Sequence, residues 1–159
     1  MTETSGGRAS TKVSRIIRAT RQALYGAFLD PEVLASWRAP ETMKAQVHTF
    51  DPREGGAYRM SLTYTDPEHA GAGKSSDDTD TFQGRFVELV PHERIVELVV
   101  FESREPGFMG EMKMTTTFAE AEGGTEVTLT CENIPPGIRP EDNEVGCRES
   151  LQNLARLFE

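Results

Sequence analysis

Between Tyr58 and Thr65 apolar and polar residues alternate, with Tyr58, Met60, Leu62 and Tyr64 on one side and Arg59, Ser61, Thr63 and Thr65 on the other. Successive side chains of an extended chain point to opposite faces, so this stretch predicts a strand with one apolar face. Met112, Met114, Thr116 and Phe118 repeat the design, as do Val127, Leu129 and Cys131 against Thr128, Thr130 and Glu132. From Thr42 to Glu132 no helical period intervenes, and Gly, Pro and Asp clusters cut the chain into strands of roughly five to ten residues. Arg53-Glu54-Gly55-Gly56, Val90-Pro91-His92-Glu93 and Glu122-Gly123-Gly124 supply hairpin turns. The run Arg94 to Phe101 is almost continuously apolar, so its register stays open.

The period changes at both ends of this meander. Lys12 to Arg18, with Val13, Ile16 and Ile17, predicts a half-buried opening strand. Thr20 then caps a helix carrying Ala23, Leu24, Ala27 and Phe28 at three-to-four spacing, which Asp30-Pro31 ends. Pro31 opens a second short helix, Glu32 to Trp37, with Val33, Leu34 and Trp37 on one side, and Ala39-Pro40 closes it. After Pro135-Pro136-Gly137 a long helix begins at Pro140, with Glu141 and Asp142 complementing the positive end of its dipole. Cys147, Leu151, Leu154 and Phe158 form its apolar stripe, opposed by Arg148, Glu149, Gln152 and Arg156. The early half of that stripe holds only small groups: Asn143, Gly146, Cys147 and Ser150. Laid on a curved sheet, such a helix end either packs very close or leaves a void.

Strand, paired short helices, antiparallel meander and closing helix define an α+β helix-grip architecture, a curved antiparallel sheet of about six or seven strands around the long C-terminal helix. The 159 residues suit one domain, residues 12–159, behind a Ser/Thr/Gly-rich tail, residues 1–11. With 17 basic against 26 acidic residues the net charge is −9, a field that repels phosphate backbones and anionic lipid heads. Nucleic-acid and membrane-surface binding are therefore not expected. No run approaches the roughly 18 apolar residues of a spanning helix, and Met1 to Thr11 lacks the apolar segment of a secretory signal, so cytoplasmic residence is the expectation.

Candidate chemistry is sparse. Cys131 and Cys147 are too far apart for a Cys-x-x-Cys unit and read as reduced, structural thiols. Gly71-Ala72-Gly73-Lys74-Ser75 imitates a phosphate loop, but the first glycine of that motif would fall on Glu68, and Asp77, Asp78 and Asp80 follow where a helix should begin. The segment Asp66 to Asp80 reads instead as a long hairpin loop. His48, His69 and His92 do not pair at ligand spacing, the acidic trio lacks the frame of a calcium loop, and no nucleophile elbow is present. Neither metal nor cofactor is expected, and no residue is assigned as catalytic. Were the protein an enzyme, the economical chemistry would be proton transfer, with Glu88, Glu102 or His48 as general base and Tyr58 or Tyr64 polarising a carbonyl.

Four stretches carry a family likeness: Ala27 to Trp37, Arg53 to Arg59, Gly84 to Ile95 and Glu141 to Leu151. In this order, on these elements, they resemble the START-related SRPBCC superfamily, and within it the bacterial branch similar to the C-terminal domain of the activator of the heat-shock-protein-90 ATPase. The resemblance implies an apolar pocket between the sheet and the last helix, used across the superfamily for lipids, sterols, polyketides and other apolar molecules. It carries over no catalytic residue. By element it places Trp37, Tyr58, Met60, Leu62, Tyr64, Phe86, Met112, Met114, Cys147 and Leu151 on the pocket wall, with Asn143 and Ser150 as polar contacts. Thioethers and ring faces suit ligands of varied shape. A small apolar ligand is the expected partner, with a chaperone ATPase as the rival that the family suggests and a cyclase- or hydratase-like enzyme as the third reading. Nothing in the pattern chooses between monomer and homodimer.

Overall fold

The alternating segments form one antiparallel sheet in a computed structural model that describes residues 9–39, 43–65, 79–103 and 105–158. The strands are β1 (Ala9–Ile17), β2 (Met43–Phe50), β3 (Ala57–Tyr64), β4 (Thr79–Val90), β5 (Arg94–Phe101), β6 (Met112–Ala121) and β7 (Gly124–Ile134). Their order is β1-β7-β6-β5-β4-β3-β2: a six-strand meander to which the opening strand returns beside β7. β1 starts at Ala9, ahead of the expected Lys12, because Ala9 and Thr11 already pair with Ile134 and Cys131 across a bulge.

Helices α1 (Arg21–Leu29), α2 (Pro31–Trp37) and α3 (Pro140–Arg156) follow their local signals closely. The Thr20 hydroxyl accepts from the Ala23 amide at 3.1 Å, and Asp30 accepts from the amides of Glu32 and Val33, so each short helix begins with its free donors satisfied. Trp37 is fully buried, its ring edge-on to Phe28 at 4.7 Å and its indole N–H donated to the Ala27 carbonyl at 3.1 Å. That contact locks α2 onto α1.

The open register of β5 is settled by its neighbours. A bulge at Val87 shifts the pairing from Phe86↔Glu97 to Glu88↔Val96. Ile95, Glu97, Val99 and Phe101 thereby border the interior, and a carboxylate enters a run that reads as uniformly apolar. α3 buries Leu151 and Leu154 completely and approaches the sheet at β1 and β7, its backbone standing off from β3, β4 and β5. Two α3 side chains tie down the end of α2: Ser150 donates to the Arg38 carbonyl at 2.7 Å, and Asn153 donates to the Ala39 carbonyl at 2.9 Å. Among the described residues, no helix is long and apolar enough to cross a membrane.

Candidate functional site

Where α3 stands off from the sheet, a cavity of about 210 Å³ opens. The meander supplies its floor: Met43 of β2, Leu62 and Tyr64 of β3, Asp80 and Phe82 of β4, Val99 and Phe101 of β5, Met112 and Met114 of β6, and Cys131 of β7. The roof comes from α3 and its approach, with Ile138, Asp142, Asn143, Gly146, Cys147 and Ser150, and Arg38 closes one side. The small half of α3 therefore leaves a void. A Cβ built on Gly146 would meet no atom within 4 Å.

Of the residues expected on the wall, Leu62, Tyr64, Met112, Met114, Asn143, Cys147 and Ser150 border this cavity. Tyr58, Met60 and Phe86 border a separate void of only about 20 Å³, together with Arg38 and Glu97. Trp37 and Leu151 border neither and are fully buried in the core, Trp37 because Phe28 and the Ala27 carbonyl hold it and Leu151 because it lies along the packed stripe of α3. Sequence reasoning missed Arg38, Met43, Asp80, Phe82, Val99, Phe101, Cys131, Ile138 and Asp142. Cys131 was within reach, since it shares a strand face with Val127 and Leu129. Arg38 was not, because it follows the last turn of α2 and belongs to no periodic face.

The two expected polar contacts already serve the protein. Asn143 accepts from the Thr11 hydroxyl at 2.5 Å and from the Cys147 thiol at 3.8 Å, while Ser150 is spent on the Arg38 carbonyl. The two thiols adjoin one another. Hydrogen bonding from Cys147, against the opposing effect of burial and with help from the Arg38 charge, Asn143 and Thr11, lowers the Cys131 thiol. The same pairing, with burial, pushes the Cys147 thiol up.

Beneath the cavity the Tyr58 hydroxyl donates to Glu97 Oε1 at 2.5 Å. This contact depends on Gly84, paired with Tyr58 across β3 and β4: a Cβ there would collide with the Tyr58 ring at Cζ, so the ring reaches Glu97 only over a bare backbone. Burial raises the Glu97 carboxyl, although the Arg38 charge and the Tyr58 hydroxyl pull the other way. Burial, then the charge and hydrogen bond of Glu97, raises Tyr58 well above its ordinary value.

The general bases expected from sequence do not stand here. Glu88 pairs with Arg94 at 2.8 Å, which lowers its carboxyl, and Glu102 pairs with Arg59 at 2.7 Å and accepts from Gln83, which brings it to about 2. Carboxyls held down in this way make poor bases near neutrality. His48 bonds Ser61 at 2.7 Å and does not border the cavity. The carboxyl whose affinity for protons is raised is Glu97, concealed by its apolar neighbours. His69, the phosphate-loop imitation, Asp77 and Asp78 lie outside the described residues; Asp80 is buried at the start of β4. Among the described residues, no three His, Cys, Asp or Glu side chains gather to hold a metal ion.

Residues 18–159 match the family described as Activator of Hsp90 ATPase homolog 1-like protein. The crystal structure of protein CV1439 from Chromobacterium violaceum is 35% identical, with a TM-score of 0.81 over 93% of this chain and 95% of that one. The AHSA1-like protein from Aeromonas hydrophila, at 19% identity and a TM-score of 0.69, covers 93% of this chain and 90% of its own. Protein Ms6760 from Mycobacterium smegmatis, 16% identical with a TM-score of 0.75, covers 94% and 90%. These last two share the fold. No curated protein matches the chain.

Proposed function

Because the chain belongs to the Activator of Hsp90 ATPase homolog 1-like family, whose α+β helix-grip fold it adopts, we propose that it binds a small apolar or amphipathic molecule, without covalent chemistry, in the cavity beneath α3. The observation that carries this is the unfilled space of about 210 Å³ facing Gly146, walled by Met, Phe and Leu side chains. Drug-sized ligands occupy clefts of roughly 300–1,000 Å³, so the occupant is smaller than these. At about 30 Å³ for each water-sized group, the space takes about seven such groups. The single domain expected over residues 12–159 extends back to Ala9 with β1, and its proposed location is the cytoplasm.

The Glu97–Tyr58 pair supports an acid–base enzyme as the second reading, but its void of about 20 Å³ holds no substrate. The family description also points to a chaperone ATPase as partner, which an ATPase rate unchanged by added protein would remove.

Gly146→Leu tests the cavity directly. Leu would project into open space, and exchanging a mid-helix glycine for a good helix former adds about 1 kcal/mol of stability. The variant is expected to unfold at a higher denaturant midpoint and to bind an apolar fluorescent probe at least about tenfold more weakly, a loss of about 1.4 kcal/mol. Undiminished probe binding by the folded variant would contradict the proposal. Ser150 is the poorer site for this experiment, because its hydroxyl also holds the end of α2.

A further inference from the structure

Arg38 borders the cavity with no carboxylate in ion-pair reach among the described residues. Arg53, Arg59, Arg94, Arg139 and Arg148 each have a carboxylate within 4.0 Å. The Arg38 guanidinium borders the cavity, and its only hydrogen bond among the described residues runs from Nη2 to the Met114 sulfur at 3.5 Å. A thioether is a weak acceptor, and a guanidinium presents five N–H donors in a flat fork matched to carboxylate geometry. Arg38 is half-buried, and apart from the Met114 contact its fork is open to an acceptor from the cavity.

The charges around the cavity are distributed unevenly. Asp80 and Asp142 act together on Tyr64, at one end of the floor. Asp142 is solvent-exposed, and Asp80 has partners of its own. Arg38 acts on Cys131, Cys147 and Glu97 at the other end. Glu97, on which Arg38 acts, makes no ion pair with it, accepts from Tyr58 and borders the lower void rather than the cavity, and Glu144, which acts on Cys147, lies 4.0 Å from Arg148. The charge beside Met114 is therefore positive, while the carboxylates of Asp80 and Asp142 bear on the Tyr64 end. The net charge of −9 and the two aspartates disfavour a doubly charged phosphate head.

Resting on the binding proposal above, we propose that the occupant is a small amphipathic monocarboxylate, its head paired with the Arg38 guanidinium beside Met114 and its tail lying along Leu62, Phe82 and Phe101. Room for about seven water-sized groups takes the carboxylate head and about five carbons of the tail. Arg38 is thus the specificity-determining residue of the cavity.

Titration calorimetry of the full chain at neutral pH with octanoate, octanol and octylamine tests this, since the three probes share a chain and differ in the head. Octanoate is expected to bind at least about tenfold more tightly than octanol, and octylamine more weakly than either. Arg38→Gln should remove the advantage of octanoate while leaving octanol within about twofold, and Arg38→Lys should restore part of it without the bidentate fit. Circular dichroism verifies that each variant folds; should Arg38→Gln not fold, the three-probe comparison on the native chain still decides. Equal binding of octanoate and octanol, an advantage that survives Arg38→Gln, or preference for octylamine would overturn the carboxylate assignment while leaving the cavity proposal standing. Failure of all three probes to bind would overturn both.

Discussion

Glu97 is the residue whose position in sequence most conceals its role. It lies between Val96 and Leu98 in a run where apolar residues dominate, and only the bulge at Val87 reveals that it borders the interior. Its folded-state carboxyl is raised above the ordinary 4.5 chiefly by burial, so the protonated form suits the folded protein better than the unfolded one. Stability from this group is present below pH 4.5 and declines as pH climbs through the raised folded value. Glu97→Gln keeps an acceptor for Tyr58 and cannot ionise. Denaturation at acid and alkaline pH should therefore show the variant gaining on the native chain as pH rises; a difference of opposite slope would contradict the burial argument. Arg38 escaped sequence reasoning for another reason: a cation just past a helix end is ordinarily a solvated one, and only tertiary packing turns it toward Met114. Trp37 misled in the reverse direction, since an aromatic at the end of α2 suits a pocket wall as well as the Phe28 contact that it makes.

Elements were far more legible than side-chain roles. Thr20, Asp30, Pro31 and Pro140 mark helix starts through local chemistry that needs no tertiary partner, and the structure keeps all of them. Two of the three one-faced strands held their faces, with Met112, Met114, Phe118, Val127, Leu129 and Cys131 all buried, whereas in β3 Ser61 is buried as well, bonded to His48 and Thr81, and Leu62 and Tyr64 are half-buried. The bulges and the close passage of Tyr58 over Gly84 were not legible, because each depends on which residue lies opposite. Gly84→Ala belongs to this scale. Its new methyl would collide with the Tyr58 ring, displacing it from Glu97, and overpacking of this kind costs about 1–3 kcal/mol. Equilibrium unfolding should show that loss; an unchanged midpoint would mean that the strands shift to accommodate the methyl.

At the scale of the whole molecule, the order of elements was readable because each piece was. The cavity was readable only as one branch of an alternative: small residues on α3 imply either close approach or empty space, and pattern cannot say which. The structure decides through the stand-off of α3 from β3, β4 and β5, while Ser150 and Asn153 fasten the helix to the end of α2. The sheet grips its helix along one margin and leaves the cavity open along the rest, which is the space the proposed ligand would fill. Amide chemical-shift mapping during titration with octanol, whose neutral head makes the test independent of Arg38, addresses that claim most directly. Saturable shifts should concentrate on Met114, Cys131, Gly146 and Ser150 and disappear in Gly146→Leu. Shifts that never saturate, or that gather on the outer face of the sheet, would contradict the account.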